Sequence, residues 1–427
     1  MQFAYIGPSG ASLGGRYIAV YHSAGVTTGV SATAMAMDSE MYDIGNNHDP
    51  AVNNSRITMP SYWANRYVRS WGQMEYSSGG NYNSIRKNGS NYDGGCTGYL
   101  MGVALNIVGA PVVVAAADYF EMYDGNVTGN TVSGNYSWLG VDLLPTSFAG
   151  ALVGKTAVQA IAASTWSELT WDSEVYDTST IHDNATNNMR LTVPSGATLV
   201  RVNANVEFSN DSANDTGIRF KKNGGTAFCQ KISNTSGIST EFINACSPPM
   251  VVTAGDYFTV DVYVGTALNA VNGNRTWFCL EVLDPAVSGA HVGRVTSADA
   301  ISSGGGDDII GWNTELYDTG GWHDNSTNNS RLTVPSGVNR VRCGAYIAGD
   351  VVAGTLGMRL LKNGAAVRGA FLDNAAASVL ASSICAISAV LEVSPGDYLE
   401  CAAFSTNANN ANIVGSGFWA EAMPGIA

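Results

Sequence analysis

Trp171 to Gly196 reads WDSEVYDTSTIHDNATNNMRLTVPSG, and Trp312 to Gly337 reads WNTELYDTGGWHDNSTNNSRLTVPSG. A looser copy opens at Met37 as MDSEMYDIGNNHDPAVNNSRITMPS. In each copy a Tyr-Asp pair leads to a His-Asp pair: His48 and Asp49, His182 and Asp183, His323 and Asp324. An Arg follows each His in the same register, at Arg56, Arg190 and Arg331, and a Pro closes each copy at Pro60, Pro194 and Pro335. Such register marks internal triplication, and repeats must be settled before any residue is given a role.

The stretch recurs after 134 and then 141 positions. That is far longer than a solenoid or propeller repeat of roughly 20–50 residues, and each unit is long enough to bury a core. The expected division is 1–146 with a short N-terminal arm, 147–286, and 287–427. After each Pro comes a strand. From Val200, the apolar Val202, Ala204, Val206 and Phe208 alternate with Arg201, Asn203, Asn205 and Glu207. Period two predicts a strand with one buried face. Val341, Cys343, Ala345 and Ile347 keep that register in the third copy, whereas the first copy is less regular.

Each unit then carries a Lys-Asn-Gly turn, at Lys87-Asn88-Gly89, Lys222-Asn223-Gly224 and Lys362-Asn363-Gly364. Asn-Gly between apolar runs is a strong hairpin signal, because both central residues of a type I′ turn need positive φ. An Asp-Tyr turn follows (Asp118-Tyr119, Asp256-Tyr257, Asp397-Tyr398), and an aromatic strand closes the unit at Trp138, Thr276 or Gly417. No window shows helical periodicity with caps. The expectation is all-β: three tandem antiparallel β-sandwich domains of jelly-roll type.

Charged residues make up 13% of the chain, against about 25% in an ordinary soluble protein. The net charge of −14 argues against nucleic acid, since phosphate binding needs a basic patch. The seven Cys do not occupy matching positions and form no C-x-x-C, so buried thiols are expected rather than a zinc site; a Cys229–Cys246 bridge within the second unit is the alternative. The first residues lack a basic and apolar leader pattern. The apolar segment from Ala375 to Val393 carries four Ser and reads as buried strands, not as a membrane span.

The order of these motifs resembles the globular head of complement-q proteins, which share a tumour-necrosis-factor-like jelly roll. The HDNATNNMRLTVPSG stretch at His182 and the HDNSTNNSRLTVPSG stretch at His323, without a collagen stalk, are similar to the version in tailed-phage virion proteins: head fibres, spikes and tail attachment proteins. That resemblance implies trimeric assembly, binding to other virion proteins or to a host surface glycan, a place on the particle surface, and no catalysis. A purely structural capsid-decoration protein and a secreted lectin-like adhesin are the alternatives.

The His-Asp pairs invite a catalytic or metal-binding reading, but no nucleophile stands at a fixed spacing. Asp and Asn side chains commonly bond nearby backbone N–H groups instead, so the motif is expected to fix a turn. Its Arg is expected to pair with a loop Asp. Convergence of the three His on one axis is the sharper alternative. Ligand binding is expected where the copies differ, at Tyr76 and Tyr82 in one loop and at Asn210, Asp211, Asn214 and Asp215 in another. The oxygen donors of the second loop suit Ca²⁺, though the spacing is not an EF-hand and an ordinary solvated turn competes; no other cofactor is implied. The three- and four-residue links at Pro285 and Pro145 span at most ~3.3–3.6 Å per residue. They favour side-by-side units in a single-chain pseudo-trimer, with a homotrimer as the alternative.

Overall fold

The computed structural model describes residues 16–27, 33–43, 45–76, 81–100, 104–125, 131–132, 136–209, 214–235, 240–270, 273–294, 297–349, 353–377, 383–407, 409–411 and 415–423. Among these the chain is all-β, with one 3-10 turn at Ser61–Trp63. Every ladder between strands is antiparallel. Among the described residues, no strand in 17–143, 149–282 or 289–422 pairs with a strand of another of these segments. Each segment is called a unit below. The expected N-terminal arm lies outside the described residues.

The main sheets have the same order in all three units. In the second unit one sheet runs Ser173–Asp177, Ala149–Gly154, Trp277–Val282, Leu199–Ser209, then Thr240–Cys246. The facing sheet runs Arg190–Thr192, Tyr257–Val264, Asn214–Lys222, Ala227–Thr235. Between them lies a core that includes Trp171, Val202, Val206, Phe220, Phe258 and Phe278. The first and third units have cores of their own around Trp63 and Trp312.

The hairpin turns adopt the required backbone: φ is 53° and 78° at Asn88 and Gly89, 53° and 66° at Asn223 and Gly224, and 51° and 77° at Asn363 and Gly364. All seven Cys are buried and free, so Cys229 and Cys246 are not bridged. The apolar stretch near 375–393 includes the strands Ser383–Ile387 and Leu391–Glu392. Among the described residues no helix is long and apolar enough to cross a membrane.

The strand Leu199–Ser209 departs from its expected single buried face. Arg201, Asn203 and Asn205 are 1%, 3% and 0% exposed, so the polar face is buried too. What covers it is another unit. Asn203 Nδ2 donates to the Val108 carbonyl at 3.0 Å, and Asn205 Oδ1 accepts from the Thr97 amide at 3.2 Å. Trp277 Nε1 donates to the Gly95 carbonyl at 2.7 Å. The contacts run in one rotational sense. Thr97–Leu100 of the first unit meets Thr240–Cys246 of the second, Ala227–Thr235 of the second meets Ser383–Ile387 of the third, and Ala365–Ala377 of the third meets Ala104–Val108 of the first. Three units in head-to-tail contact therefore close a ring, the closed outcome of a heterologous interface.

Candidate functional site

The triplicated stretch folds as a frame with the same bonds three times. The Asp of each Tyr-Asp pair accepts from the His backbone amide: Asp43 from His48 at 2.7 Å, Asp177 from His182 at 2.8 Å, and Asp318 from His323 at 2.9 Å. Each His Nδ1 faces a carboxylate on the preceding edge strand, Glu40 at 3.4 Å, Glu174 at 3.0 Å or Glu315 at 3.1 Å. Each Nε2 faces a carbonyl oxygen, of Asn54, Asn188 or Asn329, at 3.1–3.2 Å. The ring side chains have no exposed surface. Both nitrogens are engaged within the unit, so no lone pair is presented to a metal or substrate. Asp49, Asp183 and Asp324 accept from the amides two and three residues on, which closes the turn. Among the described residues no three His, Cys, Asp or Glu side chains gather to hold a metal, and the three His do not converge.

Among the described residues no loop Asp pairs with the motif Arg. Arg56, Arg190 and Arg331 lie over the rings of Tyr119, Tyr257 and Tyr398, with Cζ 4.0, 4.9 and 3.9 Å from the ring centres, a cation–π arrangement. Arg331 also donates to Glu400 at 3.1 Å. Those tyrosines belong to the Asp-Tyr turns, whose Asp in turn holds the Lys-Asn-Gly hairpin. Asn88, Asn223 and Asn363 donate to Asp118, Asp256 and Asp397 at 2.6–2.7 Å. Three motifs read separately along the sequence thus become one clip per unit. The strand register sets Arg190 and Arg331 opposite Thr259 and Glu400, two residues along the partner strand from Tyr257 and Tyr398, so each Arg reaches a Tyr diagonal to it on a strand far along the chain.

The residues expected to contact ligand are mostly elsewhere than on an exposed loop. Tyr76 is 2% exposed and its hydroxyl donates to Asp124 Oδ1 at 3.1 Å, so its ring cannot stack on a sugar. Tyr82 lies within the strand Asn81–Lys87, and its side chain is outside the described residues. Asn210 and Asp211 also fall outside them. Asn214 and Asp215 start a strand, paired with Thr235 and Asn234, and Asp215 is 4% exposed. The acidic run therefore is not one continuous solvated loop: its second half is withdrawn into the sheet by backbone pairing.

What the sequence reading missed lies on the ring axis. Arg69, Arg201 and Arg342 occupy the same position of the three core strands, and Asp142, Glu281 and Glu421 pair opposite them on the closing strands. All six are at least nine-tenths buried. Each Arg reaches the carboxylate of the next unit: Arg69 to Glu281, Arg201 to Glu421 at 2.8 Å, and Arg342 to Asp142 at 2.5 and 2.9 Å. The guanidiniums surround the Trp71 indole, at 4.2, 5.6 and 4.0 Å from its centre. The available signal was a Val-Arg step repeated at the start of the polar face in all three core strands.

The axis itself is not threefold. Two residues past each Arg stand Trp71, Asn203 and Gly344, and their cross-strand partners are Gly140, Cys279 and Trp419. Trp meets Gly in opposite orders in the first and third units, and Asn203 meets Cys279 in the second. A Cβ on Gly344 would lie 2.6 Å from the Trp419 indole. Three identical residues at this level would place either three indoles or none in one space. At one end of the axis, where the links at Pro145 and Leu283 pass, a cavity of about 430 Å³ opens above Arg69, Arg201, Glu281 and Glu421.

No family model matches this chain, and no curated protein matches it. Among solved structures it is similar to the N-terminal CBM22-1-CBM22-2 tandem domain from Paenibacillus barcinonensis Xyn10C, at 9% identity and a TM-score of 0.19, over 63% of this chain and 97% of that one. A likeness of that size carries no argument about what the chain does.

Proposed function

We propose that the chain is a non-enzymatic virion component of a tailed phage, a spike or fibre protein that attaches to a host surface polymer or anchors another fibre. In this reading it comprises three jelly-roll domains of complement-q type, divided near residues 146 and 286, fused into a pseudo-trimer within one chain. The wiring supports the fold. In each unit the first strand lies beside the last, the last beside the core strand, and the core strand beside the one that follows the hairpin, as two nested Greek keys require. The observation that carries the proposal is the contrast between an invariant frame and differing surroundings. The His, Asp and Arg bonds repeat three times, while the sequences joining the strands diverge, which is how a rigid scaffold presents variable contacts. Ring closure through three units leaves no open head-to-tail face for a polymer of chains.

Particles lacking the chain test this directly. Lost adsorption with unchanged particle stability is the expected result. Fragile particles that still adsorb would instead make the chain a structural decoration protein. Release of new reducing ends from host capsule by the purified protein would overturn the non-enzymatic part.

A further inference from the structure

We infer that Asn88, Asn223 and Asn363 are deamidation sites that the folded chain holds shut, each guarded by the Asp of the turn facing it. Asn-Gly is the dipeptide at which a side-chain amide is lost most readily, because Gly has no side chain to shield its own nitrogen. The Gly nitrogen attacks Asn Cγ and closes a five-membered succinimide. The side-chain nitrogen leaves as ammonia, taking up through solvent the proton that the Gly nitrogen gives up. Water then opens the ring to aspartate or isoaspartate, so water is the only co-reactant. All three Asn-Gly steps are exposed to it.

Attack requires Cγ and the nitrogen in a near-attack arrangement, about 3–3.5 Å apart and aligned, so the amide must be able to turn. In the hairpins it is fastened at both ends to the facing turn. Nδ2 donates to Asp118, Asp256 or Asp397 at 2.6–2.7 Å. Oδ1 accepts from the backbone amide of Tyr119, Tyr257 or Tyr398 at 2.8–2.9 Å. The guard is itself fixed, since its second oxygen accepts from the amide of Ala115, Thr253 or Ser394 at 2.7–2.8 Å. Bonds from Asn363, the Ser394 amide and Lys362 hold the Asp397 carboxyl down, at about 2, so at neutral pH it has no proton to hand to departing ammonia. Turning the amide therefore breaks two hydrogen bonds, one of them to a charged acceptor. A converted residue could not re-form the first of these. Its carboxylate would face the guard carboxylate within hydrogen-bond distance, and like charges that close repel. The clip would open and stay open. The lifetime of the frame, rather than attachment, is what the guard sets.

Peptide mapping by mass spectrometry tests this in the full chain, incubated at mildly alkaline pH either folded or in denaturing urea. Amide-to-acid conversion is followed at each of the three Asn. All three should convert in urea. In the folded chain each should convert about tenfold or more slowly, the rate equivalent of the two bonds. Asp397→Ala removes the guard from the third hairpin alone. Asn363 should then speed up toward its rate in urea, while Asn88 and Asn223 stay slow and report an intact fold. Asp256→Ala repeats the test at Asn223 if the first variant unfolds and converts at all three. Equal rates in the folded and unfolded chain would overturn the guard. So would an unchanged rate at Asn363 in folded Asp397→Ala, or at Asn223 in folded Asp256→Ala.

Discussion

Arg342 of the third unit grips Asp142 of the first with both terminal nitrogens, Nη1 at 2.5 Å and Nη2 at 2.9 Å. This bidentate pair closes the ring across 200 positions of sequence. Trp71 Nε1 donates to the same carboxylate at 2.5 Å and Arg69 Nη2 at 3.2 Å, so one side chain joins both neighbouring pairs at the axis.

Breaking that grip is costly because it strands a buried charge. Arg342→Met should lower unfolding stability by about 3–5 kcal/mol, read from the midpoint of a denaturant titration. Adding Asp142→Leu removes the stranded carboxylate and should recover a substantial part of the loss. A double variant less stable than the single one would refute this account.

Asp142 also sets an acid limit. Burial would push its carboxyl up, but the Arg342 guanidinium and its hydrogen bonds, with Arg69 and Trp71, hold it below the ordinary range. A carboxyl depressed in the folded state stabilises above its unfolded value of about 3.9 and loses that contribution as pH falls through the lower folded value. Unfolding followed at pH 5, 4, 3 and 2 should show stability flat at first and falling below about 4. In Asp142→Asn that portion of the slope should be absent.

The hairpin clip can be titrated by itself. Bonds from Asn363, the Ser394 amide and Lys362 hold the Asp397 carboxyl down, at about 2. Its carboxyl carbon shift should show a midpoint near that value, and Asn363→Ala should move the midpoint up toward 3.8. An unmoved midpoint would mean that the hydrogen bond is not its cause.

The Asp-Tyr turn of the first unit has Ala117 at φ 66°, where the other two units place Gly255 at 90° and Gly396 at 89°. A Cβ in the left-handed region costs roughly 1–2 kcal/mol, partly offset by the greater unfolded-state freedom of Gly. Ala117→Gly should therefore stabilise the chain by about 0.5–1 kcal/mol, seen as a higher melting temperature. The reverse change, Gly255→Ala, should lower it.

Axial packing makes two further claims. Gly344→Ala sets a methyl against the Trp419 indole and should cost about 1–3 kcal/mol by overpacking, with a change in Trp fluorescence. The closed ring also predicts a solution mass of 44.6 kDa for one chain by light scattering. A mass near three times that would show instead that the chain forms a homotrimer.

The sequence by itself determined the triplication, the all-β class and the positive-φ hairpins at Asn88, Asn223 and Asn363, because register, period and turn chemistry are local. It also showed that Asp49, Asp183 and Asp324 suit a turn. It could not give Arg56, Arg190 and Arg331 their tyrosine partners, since strand register brings in residues far along the chain. Alternation from Val200 to Phe208 established that the core strand has two faces, but not what lies over the polar one. Arg201, Asn203 and Asn205 look like solvent-facing residues in one unit and become interior ones only when three units close a ring. Burial is a property of the assembled surface: the same Arg that water would solvate on a lone sheet is held by Glu421 of the next unit, and only the tertiary structure decides that.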